Sequence, residues 1–131
     1  MIDLIFKEEF FKIKQACIEV RKNLGNGFLE KVYENALRIE LELLGFIVKT
    51  QTKFNVIYKE KIVGEYCADV IVDDKIIIEL KCVSKITDVH NAQLLNYLKA
   101  TNFKLGILIN FPNDKLGFDI IRIPNFITSN E

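Results

Sequence analysis

The chain has 131 residues, half of them apolar, enough for one compact domain spanning residues 1–131 with a real core. Lys+Arg and Asp+Glu balance at 18 each, which excludes the whole-surface basic field of a protein that coats nucleic acid. Three scattered cysteines, a single histidine and no CxxC spacing argue against a disulfide framework or a structural zinc site and point to a reducing, cytoplasmic setting.

Acids near the start, Asp3, Glu8 and Glu9, stand where a signal peptide needs cations. No stretch approaches the length of a membrane-spanning helix. The first helix is expected over about Lys7 to Leu24, from Phe10, Phe11, Ile13, Cys17, Ile18 and Val20 at roughly helical spacing. Gly25-Asn26-Gly27 should stop it in a left-handed turn. A second helix, about Phe28 to Leu44, carries a wide apolar stripe that includes Tyr33, Leu37 and Leu41, and Gly45 closes it.

The period then changes from helical to alternating. Val48–Tyr58, Ile62–Val72 and Ile76–Val83 read as an antiparallel meander, with turns at Lys59-Glu60-Lys61 and Asp73-Asp74-Lys75 and a bend at Gly64. Thr87 or Asp88 can cap a third helix, about Val89 to Thr101. Leu105–Asn110 is short and almost wholly apolar, as in a strand buried on both faces. The intervening helix favours a crossover that sets this strand parallel to the one before it. Phe118–Ile123 reads as an edge strand, which Pro124 ends, and the tail beyond should fray. The order α-α-β-β-β-α-β-β implies an α/β protein with a mixed sheet covered by helices.

Chemistry concentrates in the meander. Glu79 and Lys81 interrupt the apolar run Ile76-Ile77-Ile78-Glu79-Leu80-Lys81 and, two apart, share a strand face. Asp69 interrupts the preceding strand. A carboxylate amid such residues is costly unless compensated. Turn length decides whether the acids meet. A two-residue loop would pair Asp69 with Ile78 and turn Glu79 away. A three-residue loop pairs Val72 with Ile76 and sets Asp69 opposite Glu79, and a bulge would serve equally. Two opposed carboxylates repel each other unless a cation lies between them, and hard oxygen donors suit Mg²⁺ or Mn²⁺. Metal-assisted phosphodiester hydrolysis follows, with Lys81 serving the attacking water. The plainer account of Glu79 and Lys81 is a surface ion pair, but the apolar flanks on both sides weigh against it.

Other residues carry less alone. Glu30 begins a helix, where the dipole favours an acid in any case. Gln93 and Tyr97, four apart, share a helix face. His90, near a helix start, suits a structural role at least as well as a chemical one.

Taken together, Gly27-Phe28-Leu29-Glu30-Lys31-Val32-Tyr33, Gly64-Glu65-Tyr66-Cys67-Ala68-Asp69, Ile78-Glu79-Leu80-Lys81 and Val89-His90 through Leu98 resemble the GxxExxY family of the PD-(D/E)XK nuclease superfamily. The resemblance spans about Ile13 to Ile123. It implies a restriction-endonuclease-like α-β-β-β-α-β core, here with an extra N-terminal helix and a C-terminal edge strand. It also implies Asp69, Glu79 and Glu30 as metal-facing acids, Lys81 at the attacking water, and Gln93 as a polar residue on the following helix, extended by Tyr97. Ala68 stands where the superfamily's name has proline. The expected activity is a Mg²⁺- or Mn²⁺-dependent nuclease, acting on DNA rather than RNA. The alternative is an inactive nucleic-acid-binding or scaffold domain of the same fold. Small size favours a homodimer, and Lys85, Lys99 and Lys104 are the lysines nearest to where substrate would lie.

Overall fold

The structure is a computed structural model that describes residues 4–126. Helices α1 (Lys7–Leu24) and α2 (Glu30–Leu43) precede strands β1 (Val48–Tyr58), β2 (Lys61–Val72) and β3 (Ile76–Lys81), and α3 (Asp88–Thr101) joins β3 to β4 (Leu105–Asn110) and β5 (Asp119–Pro124). The expected element order is therefore found. Fraying is expected beyond Pro124, yet Asn125 is held by its N–H to the Lys104 carbonyl at 2.8 Å and by its side chain to the Phe103 carbonyl at 3.0 Å; residues 127–131 lie outside the described ones.

The five strands lie in sequence order, β1-β2-β3-β4-β5. Every contact is antiparallel except β3 with β4, which is parallel, as a helical crossover requires. Alternation along β3 divides the core. Ile76, Ile78 and Leu80 pack with Ile13 and Cys17 of α1 and Leu37 and Leu41 of α2. Ile77 faces the other way, with Leu94 and Leu98 of α3. Every residue of β4 is buried. A Cβ on Gly106 would come within 3.0 Å of both Leu94 and Leu98, so the missing side chain is what lets α3 lie this close.

Several element ends differ from expectation, and four of the differences have a local reason. The α1 stop is at Gly25, but its φ of 69° and ψ of −157° are not those of a left-handed helical turn. The second helix starts at Glu30 because the Phe28 N–H is given to the Tyr33 hydroxyl at 3.3 Å. The third strand ends at Lys81 because the Asn110 side chain takes both the N–H and the C=O of Val83, each at 2.9 Å. The last strand keeps Pro124, which stands opposite Leu105 on an edge where no ladder donor is needed.

One break was not foreseen at all. Val48, Val70 and Val72 belong to the core under α1 and α2, whereas Phe54, Val56, Tyr66 and Ala68 pack with the core under α3. All are even-numbered, so one period of two cannot hold across both groups. The β1–β2 ribbon turns over between them, at Gln51 and Asp69.

Candidate active site

The loop between β2 and β3 sets the site. Asp73 and Asp74 adopt φ of 52° and 53°, the Lys75 N–H bonds the Val72 carbonyl at 3.0 Å, and Val72 stands opposite Ile76. This is the three-residue connection, one of the two arrangements that parity allowed. Aspartates at such positions are tolerated because a short polar side chain costs little in the left-handed region.

The β2–β3 ladder runs Val72↔Ile76, Ile71↔Ile77 and Val70↔Ile78, then stops. Asp69 and Glu79 come next, and their carboxylates replace the backbone. Asp69 Oδ2 accepts the Leu80 N–H at 2.9 Å, and Glu79 Oε2 accepts the Asp69 N–H at 3.1 Å. Each acid thus satisfies a donor that the opened ladder would leave bare. Burial, and then the facing Asp69, push the Glu79 carboxyl from the usual 4.5 up to about 8. The Tyr66 hydroxyl is buried beside it. Burial first and Glu79 second push that phenol up. The Tyr66 ring stacks on Tyr97 of α3, centroids 3.8 Å apart and planes 7° from parallel.

Glu30, the first residue of α2, reaches the same group from the other side of the sheet. Its carboxyl is raised by partial burial and by Asp69, lowered by Lys81, and raised again by Glu34. Glu30, Asp69, Glu79 and Lys81 are therefore brought into one electrostatic neighbourhood. They are not drawn into a closed cage: among the described residues no three His, Cys, Asp or Glu side chains are set together to hold a metal as they stand.

Gln93, His90 and Tyr97 line a narrow cleft with Glu79, Lys81 and Leu94, of about 10 Å³, room for one water and no more. Gln93 faces this cleft without a hydrogen bond to the described residues. His90 has structural work. Its Nδ1 accepts the Thr87 N–H at 3.0 Å and closes a capping box at the start of α3. A larger hollow of about 420 Å³ between α1 and α2, lined by Gln15, Ile18, Glu40 and Leu43, contains none of these acids.

Three residues of the neighbourhood escaped the sequence reading. Glu34 is 2% exposed and is held by Lys31 Nζ and Gln51 Nε2, both at 2.8 Å. An acid one turn beyond Glu30, beside the buried Tyr33 and Leu37, was the available signal. Tyr66 sits in the quoted Gly64–Asp69 stretch, but a tyrosine on a strand is unremarkable. Gln51 lies in Thr50-Gln51-Thr52, where nothing sets it apart.

The sequence profile of the PD-(D/E)XK nuclease superfamily matches residues 7–123. The chain belongs to that superfamily. No curated protein sequence matches it significantly. Among solved structures, that titled "Crystal structure of SSO0001" aligns over 95% of this chain with a TM-score of 0.57 and 17% identity. At that identity the likeness concerns the fold alone. This chain spans 62% of the length of that protein. Nucleases of the superfamily generally use divalent metals and act on nucleic acid. The hard oxygens of Asp69 and Glu79, the latter raised by burial and by the facing Asp69, form a donor set that fits such an ion.

Proposed function

We propose that the chain is a single metal-dependent nuclease domain of the GxxExxY type, hydrolysing phosphodiester bonds of DNA in preference to RNA. The observation that carries this reading is the facing pair of Asp69 and Glu79 at the open end of the β2–β3 ladder, with the Glu79 carboxyl lifted to about 8. Two acids are held together at a cost that a divalent cation removes. Asp69 and Glu79 would hold Mg²⁺ or Mn²⁺, and Glu30 would orient water from the α2 side. Such an ion, once bound, offsets phosphate charge and acidifies water.

The remaining chemistry belongs to the chain. Lys81 Nζ, on the face of β3 that carries Glu79, attends the attacking water and the scissile phosphate. Gln93, without a hydrogen-bond partner among the described residues, offers its amide to the same water or to a phosphate oxygen. The Tyr66–Tyr97 stack closes the apolar side of Glu79 and holds α3, hence Gln93, at a fixed distance from β3. A homodimer would supply two such sites for two strands.

The test pairs binding with turnover. Calorimetric titration with Mn²⁺ should show a site that Glu79→Ala removes. A panel of single-stranded, duplex and branched DNA, with matching RNA, should show cleavage that Lys81→Ala loses while binding persists. Salt-dependent DNA binding with no cleavage under any metal, unchanged in both variants, would instead support the inactive binding module.

A further inference from the structure

Gln51 is where the β1–β2 hairpin departs from strand geometry next to the acids. Thr50 pairs with Val70 and Thr52 with Ala68, yet Gln51, opposite Asp69, has no ladder partner. Its φ is 49°, in the left-handed region that side chains avoid unless they are glycine or a short Asn or Asp. Glutamine has neither advantage. Such a conformation persists where surrounding contacts fix it, and it concentrates at functional sites.

The contacts are in place. Gln51 Nε2 donates to Glu34 Oε1 at 2.8 Å and reaches Asp69 Oδ1 at 3.4 Å, while its Oε1 accepts the Cys67 thiol at 3.3 Å. Two carboxylates on one end require the NH₂ there, so the amide can point only one way. Glu34 is itself immobile, buried with its second oxygen on Lys31. Asp69 has its second oxygen on the Leu80 N–H. Both oxygens of Asp69 are therefore aimed, one by β3 and one by Gln51.

We infer that Gln51 is a positioning residue for the nuclease site. It ties Asp69 through Glu34 to α2 and fixes which lone pairs of that carboxylate face a cation. The inference rests on the reading of Asp69 as a metal-facing acid. A left-handed residue here also turns the ribbon over, and a glycine would do that equally well. What glycine cannot supply is the amide.

Gln51→Gly separates the two roles, and Gln51→Asn repeats the test without adding chain flexibility, since asparagine tolerates the backbone but is too short to span both acids. In both variants relief of the backbone strain is opposed by loss of the bond to the buried Glu34, so binding is measured well below the melting temperature of each. Mn²⁺ affinity by calorimetry should fall by roughly tenfold or more, as for loss of a group that orients a ligand. Crystal structures without metal should show the Asp69 carboxylate turned from its wild-type orientation. An unchanged Asp69 together with unchanged Mn²⁺ affinity overturns the inference and leaves Gln51 as a ribbon turn. If the wild type itself binds no Mn²⁺, the cation reading fails, and the orientation of Asp69 in the variants alone decides for or against positioning.

Discussion

The two sides of β3 are built differently. Toward β4 the register is unbroken from Ile76↔Leu105 to Lys81↔Asn110. Toward β2 it stops after Val70↔Ile78, and carboxylates complete the hydrogen bonds. On the closed side β4 is fully buried and apolar but for Asn110, and the open side carries the acids. The difference teaches that the site is not added to the sheet surface. It occupies a place where two strands part, so that side chains can take over backbone bonding and still leave oxygen lone pairs free.

That contrast makes the two sides separable by mutation. The largest effect belongs to the open side. Lys81→Ala should lower cleavage roughly 10²–10⁴-fold while circular dichroism and melting remain close to wild type, and equal loss of fold and activity would blur the distinction. On the closed side the expectation reverses. Ile107→Ala, on β4 and fully buried in the core, should cost about 2–5 kcal/mol in urea unfolding, with Mn²⁺ affinity of the folded protein retained. Gly106→Ala is intermediate. Its new methyl meets Leu94 and Leu98, and moving α3 should cost about 1–3 kcal/mol. Because α3 carries Gln93, this variant should also lose some turnover, measured under conditions where it is fully folded.

A pH titration sharpens the open side further. Glu79 has a folded value of about 8 against an ordinary 4.5. The folded state therefore keeps a proton that the unfolded chain has released. The stability associated with protonated Glu79 is fully present below about 4.5 and is lost as pH rises through about 8. Thermal melts of the metal-free protein should fall across that window, and Glu79→Gln should flatten the slope. The smallest effect is at the start of α3, where His90→Ala removes the acceptor for Thr87 and should cost about 1 kcal/mol, with little change in Mn²⁺ binding.

Much of this was legible in sequence because periods and parities are strict. The change from helical spacing to alternation after Gly45 marked where α2 gives way to β1. For the acids to meet, parity required a three-residue connection at Asp73–Lys75 or a bulge, and Leu105–Asn110 read as doubly buried from its composition. The acids were visible because Asp69 and Glu79 break apolar runs. The reversal of the hairpin at Gln51 was not legible. It depends on one backbone angle in a polar segment, and either face pattern suits Thr50-Gln51-Thr52. Glu34 was hidden for a different reason. Helical spacing places it near the buried stripe, but only tertiary partners, Lys31 and Gln51, make an acid tolerable there. Asn110, which ends β3 by bonding Val83, looked like the polar close of an apolar strand.

Tyr33 gives the segment from Gly27 to Tyr33 a mechanical meaning. Its hydroxyl donates to the Gly25 carbonyl at 2.7 Å and accepts the Phe28 N–H, and its ring lies on Phe111 with centroids 4.5 Å apart. The tyrosine is thus bolted at both ends, to the turn before the helix and to the chain just after β4. Glu30 rides on the same first turn. The interval between them works as a gauge block: inserting one residue would swing the carboxylate by about 100° around the helix while the bolt stayed put. The reach of Glu30 toward the acids on the sheet is therefore machined from the aromatic contact inside the protein, and tolerances at Phe111 become tolerances at the site.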